Sequence, residues 1–354
     1  MAKRAELSPP DFSDALLTWY DQQARQLPWR SFWPDLSDPY DVFLSELMLQ
    51  QTVVATVIPY YQKFKEIWPT IQDLAMAEED DILREWAGLG YYARARNMRK
   101  AAQAVVNEFG GVFPDNEASL LTLPGIGPYT AAAIMSFAFD KPAIVLDGNI
   151  ERVLSRYFAD DTPLPGLKKH LRDRYPAILP KNRFADFPQA MMDLGARICI
   201  SGIPRCAQCP LSAHCASAFD AAAEMRPVKA PKKAKPKRNG SVFVARFQGK
   251  VAMVRRPDKG LLGGMMVFPT YGWWHKDDQS QGLADAPFAA SWVKQDVSLS
   301  HIFTHFELRL TLYQAELTED EATLAAQHCE FMAIEEVGLA SIMAKVWRAS
   351  DKQR

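Results

Sequence analysis

The sequence predicts a mostly helical N-terminal part followed by a smaller α+β domain, and three observations predict it. From about residue 11 to residue 225, apolar residues recur at three- and four-residue spacing. Residues 226–240 then read RPVKAPKKAKPKRNG, a run of Lys, Pro and Arg with nothing to bury. Beyond it the period changes to two. With 354 residues, 48% of them hydrophobic and 23% charged, the chain is long enough for two or three domains and apolar enough to fill their cores.

Helical spacing runs over 14–25, 42–68, 80–86, 93–109 and 129–139. The breaks are Trp68-Pro69, Gly88-Leu89-Gly90, Gly110-Gly111 and Leu123-Pro124-Gly125. The basic run reads as a linker, extended by its prolines and by self-repulsion, and as a possible non-specific phosphate contact. The expected domains are therefore 1–225, a linker over 226–240, and 241–354. In the last of these, 241–247 and 251–255 form a hairpin about Gln248 and Gly249, 308–317 a further strand, and 334–347 a closing helix.

The formal net charge of -1 does not announce nucleic-acid binding, so any basic surface must be local. The start, MAKRAELSPPD, has no apolar core of a secretory signal. The most apolar helical stretch, 129–139, is far too short to span a bilayer. A soluble, cytoplasmic monomer with no membrane partner is expected, nucleoid-associated in a bacterium.

Four of the five cysteines fall within 199–215, as C-x6-C-x2-C-x5-C: Cys199, Cys206, Cys209 and Cys215. Clustering of this kind in a reducing compartment argues for metal ligation over disulfides. Four thiolates suit a [4Fe–4S] cluster, in which each iron needs one external sulfur, or a tetrahedral zinc ion. Zinc modules commonly use two C-x2-C pairs and this chain has one, which leans towards iron. Cys329 stands alone and reads as an inert, partly buried thiol.

Two further segments carry chemistry. Leu123-Pro124-Gly125-Ile126-Gly127-Pro128-Tyr129 joins two helical stretches through Gly125 and Gly127, which permit a tight turn and close backbone approach to a ligand. Pro128 suits a first helical turn, whose free N–H groups suit a phosphate. Downstream, Val145-Leu146-Asp147-Gly148-Asn149 places a carboxylate at a loop or helix start, where an ordinary N-cap is the plain alternative. Glu46 lies in the very apolar run Leu44-Ser45-Glu46-Leu47-Met48-Leu49. If that face is buried, the pKa of Glu46 rises and the group becomes a general acid; the plain alternative is an exposed helical glutamate.

Together these residues resemble the MutY-type adenine DNA glycosylases of the helix–hairpin–helix, or endonuclease III, superfamily. The cysteine spacing, the hairpin with its following aspartate, and the string around Glu46 with Gln50 and Gln51 carry the likeness. The resemblance implies a six-helix barrel with a cluster-bearing domain, and one structural [4Fe–4S] cluster on the four cysteines, whose loop would bring Arg197 and Arg205 to phosphate. It implies removal of adenine opposite 8-oxoguanine or guanine in double-stranded DNA. Glu46 would protonate the base, and Asp147 would stabilise or capture the oxocarbenium sugar, the two-carboxylate logic of glycoside cleavage. Tyr129 and Asn149 match supporting positions. Bifunctional relatives carry a lysine where this chain has Tyr129, so the resemblance implies a monofunctional enzyme. Glu151 stands where some MutY proteins carry a lysine that forms Schiff bases, so trapping on that residue should be absent.

For DNA, the resemblance implies intercalation by Gln51 and Tyr91, with Gln50 beside the first, a DNA contact from Arg25, and Trp29 and Arg30 near the base pocket. Arg94, with Arg96, Arg99 and Lys100, reads as a basic strip or a solvated face. Gly260-Leu261-Leu262-Gly263-Gly264-Met265 and Phe268-Pro269 resemble the Nudix-like C-terminal domain of MutY. The glutamate-rich Nudix box is not in the sequence, so this domain should bind and not hydrolyse. The loop that reads 8-oxoguanine would be Phe303-Thr304-His305, with Thr304 in place of the family's usual serine.

Overall fold

The computed structural model describes residues 9–229 and 234–351. In chain order it contains α1 (Pro9–Gln23), α2 (Pro39–Leu49), α3 (Val54–Ile67), α4 (Ile71–Met76), α5 (Glu79–Glu85), α6 (Ala93–Phe109), α7 (Glu117–Leu120), α8 (Pro128–Phe139), α9 (Gly148–Tyr157), α10 (Gly166–Arg174) and α11 (Asp186–Arg197). Then come β1 (Lys237–Phe247), β2 (Lys250–Arg255), β3 (Met266–Val267), β4 (Thr270–Tyr271), β5 (Val293–Lys294), β6 (Leu299–Ile302), β7 (Glu307–Glu316), α12 (Glu319–Ala325), β8 (Glu330–Met332) and α13 (Ser341–Asp351). Among the described residues, those within 1–76 and 100–232 form one compact unit, and those within 77–99 and 233–354 a second. Among the described residues no helix is long and apolar enough to cross a membrane.

In the first unit α2 is buried almost throughout, and α8 buries Thr130, Ala131, Ala132, Ala133, Ile134, Ser136, Phe137 and Ala138. Small alanines let this helix pack closely against neighbours, which is why an all-round apolar segment ends in the core. The expected helix over 42–68 is in fact two helices. Gln51 takes a left-handed backbone with φ 58, and the chain turns there before α3 begins. Such a conformation costs a non-glycine residue of order 1 kcal/mol. The apolar period continues on both sides, with Met48 and Val57 both fully buried, so periodicity alone could not reveal the break.

The second unit is built on an eight-stranded mixed sheet of path β3-β2-β1-β7-β5, with β4 and β8 pairing β1 and β2, and β6 pairing β7. β1 and β7 run parallel over ten residue pairs, Lys237 with Glu307 through Arg246 with Glu316. Gly240 through Arg246 are buried without alternation, so both faces of this strand are covered, as in the interior of a parallel sheet. The expected hairpin forms: Gln248 (φ 49) and Gly249 (φ 78) make its two-residue turn between β1 and β2. Cys329 packs in a core cluster with Ala245, Ala315 and Phe288, and burial pushes its thiol up to about 11. The expected helix over 334–347 begins later. Ile334–Glu336 is a single tight turn, and α13 starts only at Ser341, past Gly338.

The linker expected over 226–240 is narrower at both ends. Arg226 is buried and binds both oxygens of Asp161, at 2.8 and 3.0 Å. Lys237 to Gly240 belong to β1. Charge composition signalled a solvated run at both places, but a distant carboxylate and a parallel strand partner absorbed its ends. Residues 230–233 lie outside the described residues.

Candidate active site

Three helices meet at one cavity of about 740 Å³ in the first unit. The middle of α2 brings Glu46, the start of α8 brings Tyr129, and the start of α9 brings Asp147 and Asn149. Asp38 caps α2 by accepting from the Tyr40 amide at 2.7 Å, with Pro39 in the first turn. That fixes the helix so that its apolar run is core and Glu46 is carried inside it, 6% exposed.

Burial pushes the Glu46 carboxyl up to about 7. The hydrogen bond from Tyr129 opposes the rise, the nearby charge of Asp147 adds to it, and Arg30 opposes it. Burial and the two adjacent carboxylates hold the Tyr129 hydroxyl protonated, so it acts as a donor to Glu46. Asp147 is the N-cap of α9. One oxygen accepts from the Ile150 amide at 2.7 Å and the other from Asn149 Nδ2 at 2.9 Å. The plain N-cap reading is therefore correct as far as it goes, and the same carboxylate faces the cavity. Gly195 on α11 matters here: a Cβ on it would lie 2.7 Å from that of Asn149, so glycine lets α11 sit against the start of α9.

Arg25, Trp29, Arg30, Gln50 and Gln51 line the same cavity. Trp29 is buried edge-on against Tyr61, with ring centroids 5.2 Å apart. Both arginines bind Asp193, which has no exposed side-chain surface: Arg25 Nε at 2.7 Å and Arg30 at 2.9 Å. Sequence reasoning missed Asp193. Its signal was the one used for Glu46, a carboxylate in an apolar helical string, here Met191-Met192-Asp193-Leu194. It also missed Arg152, which bonds Asn149 Oδ1 at 2.8 Å and the Cys199 carbonyl at 2.7 Å. Arg152 thus ties the start of α9 to the cysteine loop.

The hairpin lies between α7 and α8. Gly125 (φ 79) sits where only glycine is comfortable, and Gly127 caps α8 with extended backbone. A Cβ on Gly127 would meet nothing within 4 Å, so the protein itself leaves open space there.

Cys199, Cys206, Cys209 and Cys215 line a second, separate cavity of the first unit. Arg156 is buried beside it and donates to Cys199 Sγ at 3.5 Å and to the carbonyls of Ile200 and Gly202. Burial raises the Cys199 thiol and pushes that of Cys209 up to about 12. Among the described residues no group of three or more His, Cys, Asp or Glu converges on a single metal ion. Arg197 and Arg205 are exposed; Arg197 bonds the Gln23 carbonyl, and Arg205 bonds that of Arg197 at 3.3 Å.

The remaining predicted contacts lie in the second unit. Tyr91 (φ 49) is 47% exposed, and its hydroxyl hydrogen-bonds that of Thr304. Phe303 and Phe306 stack at 4.8 Å, and Phe303 stacks on Trp273 at 5.7 Å, so Thr304 and His305 stand exposed on an aromatic base. Of the basic strip expected along α6, only Lys100 is exposed. Arg94 is buried and donates to the carbonyls of Leu89 and Gly90, which braces the turn carrying Tyr91. Arg96 is buried on the carbonyls of Gly263 and Asp258, and Arg99 binds that of Ala77. Unmet backbone carbonyls attracted these guanidinium groups inward, a demand that charge spacing does not reveal.

Residues 44–175 match the model of the HhH-GPD superfamily base excision DNA repair proteins, and 241–349 match the NUDIX domain. The adenine DNA glycosylase of Mus musculus is 32% identical over 97% of this chain and 78% of its own length. That of Buchnera aphidicola subsp. Acyrthosiphon pisum is 34% identical over 84% of this chain and 85% of its own. A solved thermostable thymine-DNA glycosylase superposes with a TM-score of 0.52 at 30% identity, over 58% of this chain and 94% of that one. The chain belongs to the adenine DNA glycosylase family, within the HhH-GPD superfamily of base excision DNA repair proteins.

Proposed function

We propose that this chain excises adenine mispaired with 8-oxoguanine or guanine from double-stranded DNA, with Glu46 as general acid and Asp147 as the carboxylate that stabilises or captures the sugar cation. The observation that carries this reading is one buried carboxyl, raised to about 7, held beside a second carboxylate in a single cavity. Two such groups in different environments divide the work of acid and electrostatic partner. Protonation of the base by Glu46 makes it a leaving group, and the positive charge then growing on the sugar falls beside Asp147. Tyr129 keeps Glu46 in place, and Asn149 keeps Asp147 in place. Tyr129 has no amine, so base release here uses water and breaks no strand.

In this reading 1–225 performs excision and 241–354 recognises the opposite base, through Thr304 and His305 with Tyr91 alongside. Gln51 fills the space left by the extruded adenine. The strained backbone at Gln51 and the left-handed Tyr91 favour it, because such conformations collect at working sites.

The test is single-turnover adenine release from a duplex with adenine opposite 8-oxoguanine, followed from roughly pH 6 to pH 9. Glu46 acts when protonated, so the rate should be level below about 7 and fall about tenfold per unit above it. A rate that climbs through that range would remove Glu46 from the acid role.

A [4Fe–4S] cluster on Cys199, Cys206, Cys209 and Cys215 belongs to the same proposal. The four thiols line one cavity, and a cubane there would take one thiolate on each iron. Buried Arg156 supplies positive charge beside Cys199, which favours an anionic cluster. Bound there, the cluster would supply structure to the loop and no chemistry to the substrate. The purified protein should be brown, with a broad absorbance band near ~400 nm and about four irons per chain. One zinc per chain and no such band would reject it.

A further inference from the structure

The cavity that holds Glu46 and Asp147 also holds an amine that base release does not use. Lys168, in the first turn of α10, lines its wall. Its Nζ lies 2.9 Å from Oε1 of Glu151, whose side chain is 8% exposed against 55% for Lys168. Glu151 sits one turn beyond Asp147 on α9, its amide bonded to the Asp147 carbonyl at 2.9 Å. The carboxylate therefore stands on the same helix as the proposed sugar-facing group. A buried carboxylate needs a partner, whereas a long, half-exposed lysine keeps its freedom to move. The pair holds a half-exposed primary amine at the edge of the reaction cavity.

We propose that Lys168 condenses with the aldehyde of the abasic product, so that the protein holds its product covalently and reversibly. This rests on the reading of the cavity as a base-excision site. The neutral amine attacks C1′ of the ring-opened sugar, and the Nζ–C1′ bond forms as a proton passes from nitrogen to Glu151. Glu151 passes that proton to the former aldehyde oxygen, which gives a carbinolamine; it then relays the second nitrogen proton to the C1′ hydroxyl as the C1′–O bond breaks, and the oxygen leaves as water. The product is an imine, with no net oxidation and no broken strand. Water reverses it. The sequence alone points away from this, since position 151 is acidic; the fold supplies the amine from seventeen residues further on.

The test uses the full protein, a duplex with a preformed abasic site opposite 8-oxoguanine, and sodium borohydride. The wild type should give a covalent protein–DNA band on a denaturing gel, with the mass of the reduced adduct mapped to Lys168. Lys168→Ala and Lys168→Arg should each lose the band by about tenfold or more. Arginine keeps a cation on Glu151 but forms no imine, so loss in that variant separates chemistry from misfolding. An undiminished band in Lys168→Arg, an adduct mapped to another lysine, or no band from the wild type at any pH would overturn the proposal. With the abasic site supplied, failure here leaves the excision reading standing, and failure of excision leaves this result readable.

Discussion

Replacing Glu46 by Gln is expected to slow adenine release by about 10²- to 10⁴-fold in a single turnover, while duplex binding changes little. Gln keeps the shape and an acceptor for Tyr129, but it has no acidic proton to give. The same change should make the protein more stable at alkaline pH. The folded-state pKa of Glu46 is raised to about 7 by burial, above its unfolded value. Its contribution to stability is therefore fully present below the unfolded pKa and is lost as pH rises through about 7. A shift from 4.5 to about 7 corresponds to at most about 3 kcal/mol at pH 8. Thermal unfolding of Glu46→Gln against the wild type at pH 5 and pH 8 measures it: the variant's advantage should be small at the lower pH and grow to its full size at the higher. A loss of activity with no such gain would mean that Glu46 is not held protonated by burial.

Asp147→Asn is expected to cut base release by about 10²- to 10³-fold without loosening the fold. Asparagine is itself a good N-cap, so its oxygen can still accept from Ile150 and the start of α9 should hold. What disappears is the charge. Asp147→Ala should show a similar kinetic loss together with about 1 kcal/mol of lost stability, because it removes the cap as well. A second readout follows from the charge on Asp147, which raises the Glu46 pKa. Without it, residual activity should begin to decline at a lower pH than in the wild type. Unchanged activity in Asp147→Asn would reduce Asp147 to a cap.

The sequence made legible what depends on local composition. The Gly-Pro hairpin gave the turn before α8, a short-range demand met by a few residues, whereas the Leu44-to-Leu49 string left Glu46 open between a buried acid and an exposed one, which the fold decides. The break at Gln51 was not legible, since nothing but a left-handed backbone marks it. Nor were the contacts that pair distant charges. Arg30 with Asp193, Arg226 with Asp161, and Lys168 with Glu151 all join residues that only the tertiary fold makes neighbours. Arg94 and Arg96 were misread for the same reason: a basic spacing looks alike whether it faces water or backbone carbonyls. The bond between Tyr91 and Thr304 joined two positions that sequence reasoning had assigned to separate tasks.

The central claim is that the buried acid and its partner carboxylate release adenine. Single-turnover release, followed as alkali-labile abasic product, tests it on four duplexes: adenine opposite 8-oxoguanine, adenine opposite guanine, thymine glycol opposite adenine, and a G:T mispair. The account predicts abasic product from the first two and none from the others. Release of thymine or thymine glycol with adenine left in place, or tight binding to every duplex with no abasic product, would contradict it.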